Sequence, residues 1–162
     1  MPYQFPKPEM AAISSMFSAL FGRKVTVTNG VRMSTTPRDL FSAATYRDEK
    51  EELIGMAAFD MPLSASLGAA LSLIPPHTVK KVVKEGKFDE MTWENLHEVY
   101  NISTRFFHDH FYSEMVALER VYQPKELPRD LMKYLRRSAH RHDMACEVHG
   151  YGKGKFTFVS NM

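Results

Sequence analysis

Between Glu90 and Tyr112 the chain runs for 23 residues (EMTWENLHEVYNISTRFFHDHFY) without a glycine or a proline, and no other stretch constrains the fold as strongly. At about 100° of rotation per residue, Leu96, Val99, Tyr100, Phe106, Phe107 and Phe111 fall on one broad face. Glu94, Glu98, Asn101 and Arg105 gather on the opposite side, within an arc of roughly 60°. The pattern predicts one long helix, N-capped by Thr92, with a deep apolar face and a narrow polar stripe. Such a helix needs an extended apolar surface to lie on.

The flanking segments supply that surface. Pro2, Pro6 and Pro8 make residues 1–8 an extended lead-in. Glu9 to Phe21 carries Ile13, Met16, Phe17 and Leu20 at helical spacing, with Gly22 as its C-cap. Lys24 to Thr28 alternates as a strand and stops at the turn dipeptide Asn29-Gly30, and Val31 to Arg38 reads as loop or weak strand. Leu40 to Arg47 and Glu52 to Phe59 read as strands joined by a charged turn, the second so continuously apolar that both its faces should be covered. Met61-Pro62 opens a helix whose inner stripe is Leu63, Leu67, Ala70 and Leu71, while Gly68, Ala69 and Ala70 allow close packing. His77 to Glu85 forms a short basic helix capped by Gly86. Beyond the organising helix come a strand from Met115 to Tyr122 ending at Pro124, a helix from Pro128 to about His140 and a hairpin of Met144 to Val148 with Lys155 to Val159. The order predicts a single α+β domain over 1–162, a largely antiparallel sheet with long helices packed on one side.

Composition narrows the function classes. Hydrophobic residues make up 44% and charged residues 25% of the 162, and a net charge of +2 with interspersed signs gives no pointer to nucleic acid or an anionic membrane. Cys146 stands alone, so an internal disulfide is excluded and a reducing compartment is expected. There is no basic region followed by an apolar run at the N-terminus, and no continuous apolar run of membrane-spanning length. These features predict a cytoplasmic protein.

The polar stripe has a spacing of its own. Glu94 is followed by Glu98, then Asn101, then after 22 intervening residues Pro124. This resembles the signature of the chemotaxis receiver-phosphatase family (CheC, CheX and the phosphatase domain of FliY), Asp/Ser-x3-Glu-x2-Asn-x22-Pro. Glu98, Asn101 and Pro124 match; Glu94 departs, being a longer acid where the family has Asp or Ser. After the Asn the family continues with small residues and Gly, whereas this chain reads Ile102-Ser103-Thr104-Arg105, and Arg105 one turn on would narrow a partner's approach. No second Glu-x2-Asn is followed by Pro at this spacing, so the chain resembles the single-site CheX type.

The resemblance implies an antiparallel sheet with the motif helix along its surface, a homodimer, and hydrolysis of the aspartyl phosphate on a phosphorylated receiver domain. It implies no cofactor held by this chain, the Mg2+ belonging to the receiver. Asn101 would orient the attacking water and Glu98 would contact the receiver's active-site lysine, with Glu94, Arg105 and Pro124 around them at the partner surface. The residue types suit those tasks, since a carboxamide donates to and accepts from one water and a carboxylate facing an ammonium sets register. The rival reading is a non-catalytic receiver-binding or dimerisation module of the same fold; no residue argues for a small-molecule-binding domain.

Other candidate chemistry is weaker. His108-Asp109-His110 and His140-x-His142-Asp143 have the composition of metal ligands, but alternate residues of a helix stand about 200° apart, so His108 and His110 do not chelate one ion from a regular helix. Gly150-Tyr-Gly-Lys-Gly154 has the glycines of a phosphate loop without the following helix, which makes it a hairpin turn. Ser64 and Ser66 lack a nucleophile-elbow context, and Cys146 reads as a core residue.

Overall fold

The computed structural model describes residues 9–108, 116–138 and 140–160, the His108 side chain excepted. The 1–8 lead-in, Asp109, His110 and Phe111 lie outside those residues, and with them the candidate His108-Asp109-His110 cluster. In chain order the elements are α1 (Met10–Phe21), β1 (Val25–Asn29), β2 (Phe41–Arg47), β3 (Leu53–Asp60), α2 (Met61–Ala70), α3 (His77–Glu85), α4 (Glu90–Ile102), α5 (Arg105–His108), β4 (Ala117–Tyr122), α6 (Arg129–Arg137), β5 (His140–Val148) and β6 (Gly152–Ser160). The strands form one sheet of order β1-β5-β6-β3-β2-β4, and every pairing is antiparallel. The α+β class read from the sequence holds.

Period-two alternation sorts the strand residues between the faces. Ala44 and Tyr46 of β2, Ala57 and Phe59 of β3, and Phe156 and Phe158 of β6 meet α1, α2, α4 and α5 in the main core. Phe41, Ala43, Met56, Ala58 and Val159 point the other way, where Leu135 of α6 covers them with Met33 and Leu127. β3 is therefore covered on both sides, as its unbroken apolar run requires. The helices gather on one face except for α6, which lies over the other.

Several boundaries shift for local reasons. α2 has no stripe; it is buried all round from Leu63 to Ala70, because α3 packs Val79 and Val82 on its outer side while the sheet takes the inner. The last helix ends at Arg137 rather than near His140, and β5 begins at His140 instead of Met144. The polar start of β5 is made possible by Arg141 and Asp143, which pair with each other and carry the strand through a nearly dry environment. Gly22 and Gly86 close α1 and α3 in the left-handed region, at φ 62° and 66°, as expected of C-cap glycines.

The two sheet edges differ. On β1, the outward N–H groups of Val25 and Val27 donate to Ser18 and Ser14 of α1, so that edge is already occupied. β4 is the other edge, with Ala117, Glu119 and Arg120 exposed.

Candidate functional site

α4 is capped by Asp89, whose carboxylate accepts from the Thr92 N–H. Thr92 itself does not cap the helix. It is fully buried and faces Gly68 of α2, where a Cβ would come within 2.7 Å of the Thr92 methyl and carbonyl. The missing side chain lets the two helices cross in contact, the close approach that Gly68 allows. Asn95 then staples them, donating through Nδ2 to the Gly68 carbonyl at 2.8 Å and to Ser72 Oγ at 2.6 Å.

One turn further, Tyr100 fixes the helix to the sheet. Its ring stacks on Phe59 at 4.5 Å, and its hydroxyl meets Ser42 Oγ at 2.7 Å while accepting from the Phe59 N–H at 3.2 Å. Ser42 also bonds Ser64, which donates to the Phe59 carbonyl. Tyr46 donates to the Tyr100 carbonyl at 2.7 Å. Burial pushes both phenols up, so they stay protonated and the network is made of neutral groups. A buried network with its members satisfied holds one arrangement.

With Leu96, Val99 and Tyr100 wholly buried, the helix has one rotational setting, and it turns Glu94, Glu98 and Asn101 to solvent. Glu98 and Asn101 are both exposed, and their side chains make no bond to the described residues. Arg105 is exposed too, but not on the same helix. The expected single helix breaks at Ser103-Thr104, where Ser103 Oγ donates back to the Val99 carbonyl and the chain tightens into i→i−3 bonds, Phe106 N–H to Ser103 and Phe107 N–H to Thr104. The short α5 then carries Arg105 outward and drives Phe106 and Phe107 into the core. Gly55 of β3 makes room for the Phe107 ring, which a Cβ at that position would overlap.

Pro124 does not stand on the stripe. It occupies the second position of a turn in which Glu126 N–H returns to the Gln123 carbonyl and Lys125 takes φ 73°, the geometry of a type II turn after β4. β4 is itself in contact with α4. The structure thus brings Glu94, Glu98 and Asn101 together on one rigid surface, sets Arg105 beyond a turn, and gives Pro124 the ending of a neighbouring strand.

The remaining reactive groups are structural. Asp60 caps α2 through Leu63 N–H and accepts from Lys155 N–H with its second oxygen; burial raises its pKa against those bonds. The Cys146 thiol is buried and pushed up to about 12, which leaves it inert as a nucleophile. His140 and His142 sit in β5, and among the described residues no group of three His, Cys, Asp or Glu is placed to hold a metal ion. No described helix is long and apolar enough to cross a membrane. Asn95, which ties α4 to α2 behind the stripe, was missed by pattern reading; its signal was the facing Gly68, which marks where a helix must come close.

No family model and no curated protein matches the sequence. Solved structures do. A chain of the FliM–SpeE complex from H. pylori superposes with a TM-score of 0.63 at 8% identity, over 93% of this chain and 80% of that one. A chain of the CheX–CheY–BeF3–Mg2+ complex from Borrelia burgdorferi gives 0.59 at 12% identity, over 96% and 100%. CheX from Vibrio vulnificus gives 0.57 at 11%, over 98% and 97%. The fold is that of CheX, the CheC-like proteins and the FliM and FliY domains.

Proposed function

We propose that this chain belongs to the CheC, CheX and FliY family as a single-site, CheX-like member, and that it hydrolyses the aspartyl phosphate of a receiver domain. The observation that carries the reading is the free, outward placement of Glu98 and Asn101, one turn apart on a helix locked to the sheet of a CheX-like fold. In the proposed reaction a water attacks phosphorus, the bond to the aspartyl oxygen breaks, and the carboxylate leaves on the receiver with inorganic phosphate as product. Asn101 holds the water by accepting a hydrogen bond from it at Oδ1 and donating one to its oxygen from Nδ2, and both protons of the water leave with the phosphate. Orientation of that kind removes several kcal/mol of barrier without covalent chemistry by the protein. Glu98 meets the receiver's lysine and sets the register, with Glu94, Arg105 and the Pro124 turn at the rim. The chain binds no cofactor of its own in this scheme; Mg2+ comes with the receiver. A receiver-domain substrate would put the protein in the cytoplasm. A homodimer would use the β4 edge, since Ser14 and Ser18 close β1.

A second reading, a receiver-binding or dimerisation module without catalysis, is favoured by one feature: Arg105 projects from just beyond the Asn101 turn, where a receiver would close on the stripe. A panel of phosphorylated receivers, followed for loss of phosphate with and without the protein, separates the two. The phosphatase reading expects accelerated loss from at least one receiver, abolished by Asn101→Ala with binding retained, and both rate and binding weakened by Glu98→Ala. A receiver that binds yet keeps the same phosphate half-life with wild-type protein and Asn101→Ala makes the chain an adaptor.

A further inference from the structure

On the face of the sheet opposite α4, a cleft of about 450 Å³ opens between residues 32–36 and α6. Its rim carries Arg32, Lys133, Arg136 and Arg137, all exposed, and there is no carboxylate in the lining. Lys133, Arg136 and Arg137 stand at i, i+3 and i+4 on one side of α6, a like-charge arrangement that disfavours the helix by itself. The two ion pairs among the described residues, Arg47 with Glu119 and Arg141 with Asp143, leave all four cations without an acid. Asp39, the nearest acid along the loop, lies near the surface outside the lining and is taken up by hydrogen bonds from Ser34 Oγ, Thr36 N–H and Thr36 Oγ1.

The walls are fixed from behind. Arg141, with its side chain only 3% exposed, donates to the carbonyls of Met33 in the loop and Leu135 in α6. Its partner Asp143 accepts from the Met33 N–H at 2.9 Å. Arg32 crosses the cleft edge to the Arg136 carbonyl. The loop and the helix therefore form one preorganised concavity, whose cations need not be gathered at the moment of binding.

We propose that this cleft binds a compact ligand bearing phosphate groups. Guanidinium forks and an ammonium match clustered phosphoryl oxygens. The volume lies within the range of small-ligand pockets. No aromatic ring lines the cleft, so it offers no platform for stacking a base, and it is a concavity and not a track for a nucleic-acid backbone. The proposal is independent of the receiver reading, since the cleft and α4 lie on opposite faces of the sheet.

Calorimetric titration at low salt tests it, using tripolyphosphate, inorganic phosphate, and phosphatidylcholine vesicles carrying a phosphoinositide. Saturable one-site binding of tripolyphosphate is expected, weakened about tenfold or more in Arg136→Ser/Arg137→Ser. The control Lys80→Ser/Lys81→Ser, on exposed α3 positions, should bind as wild type. Lys133→Gln gives an independent second variant, and unchanged melting of each apoprotein certifies the fold. Binding to the free ion assigns a soluble ligand; binding only to the vesicles assigns a lipid-borne phosphate at the same cleft. Absence of saturable binding in every arm, an equal loss in the α3 control, or equally tight binding of a short DNA duplex per phosphate overturns the proposal.

Discussion

On one face of the sheet Phe59, Phe107, Phe156 and Phe158 interlock with α1, α4 and α5, while on the other a single nine-residue helix, α6, lies over Met33, Phe41 and Val159. The first face is held by ring packing and a ring of neutral hydroxyls around Tyr100. The second depends on charged groups, Arg141 with Asp143 and Asp39 with its hydroxyl donors. The difference teaches what each face is suited to present. A deep apolar footing fixes a helix in rotation, so that one carboxamide points one way. A thinner layer tied by ions keeps its cations at the surface, where an anion can reach them.

The largest test of that contrast is truncation on each side. Phe107→Ala should cost about 3–5 kcal/mol, because a fully buried ring leaves a hole that Gly55 cannot fill. Leu135→Ala should cost about 2–3 kcal/mol, at the low end for a buried leucine, since half-buried Leu131, Met132 and Tyr134 can close over the gap. Urea unfolding midpoints measure both, and equal losses would erase the distinction between the faces. Next in size is Tyr100→Phe. It strips the partner from the Phe59 N–H and one from Ser42, both buried, and should cost about 1–3 kcal/mol in the same assay.

Which of these features could be read beforehand follows from what periodicity can see. The strands, the close approach at Gly68 and the outward stripe of Glu94, Glu98 and Asn101 were legible, because each follows from spacing along one element. The break at Ser103-Thr104 was not. It contains no glycine or proline, and arises from Ser103 bonding back to Val99 while two consecutive phenylalanines find places in the core. Thr92 looked like the cap for the same reason that Asp89 is one, a short side-chain oxygen, and only the neighbour Gly68 decides that Thr92 goes inside. The start of β5 was hidden because His140 to Asp143 is polar, and the Arg141–Asp143 pairing that permits burial depends on a loop over a hundred residues away in sequence. Pro124 was legible as a terminator, while its place in the candidate site rested on the family resemblance alone.

Two asparagines on one helix sharpen the comparison at smaller scale. Asn95 bridges to α2, so Asn95→Ala should cost about 1 kcal/mol through lost bonds to Gly68 and Ser72. Asn101 is exposed and unbonded by its side chain, so Asn101→Ala should leave stability within about 0.5 kcal/mol. Melting curves of the two variants side by side check this. A destabilised Asn101→Ala would show that the residue serves the fold, and its effect on any phosphatase assay would then lose its meaning.

The smallest effect expected concerns pH, and it divides the two faces by the nature of their polar groups. Hydrogen bonds from Ser34 and Thr36 hold the Asp39 carboxyl below its ordinary value of 3.8. A carboxylate whose folded pKa is depressed contributes stability above the unfolded value and loses it as pH falls through the folded one. Asp39 therefore supports the loop of residues 34–36 at neutral pH and stops doing so in acid, below about pH 4. Because the group lies near the surface, solvent screening keeps the effect small. The stability gap between wild type and Asp39→Asn, measured by urea unfolding at stepped pH, should be present at pH 7 and narrow progressively as the pH falls below the ordinary carboxylate value. The gap between wild type and Tyr100→Phe should stay constant over the same range, since every group it removes or strands is neutral throughout. A Tyr100 gap that closed in acid along with the Asp39 gap would mean that both faces rest on ionised groups, and the division between them would fall.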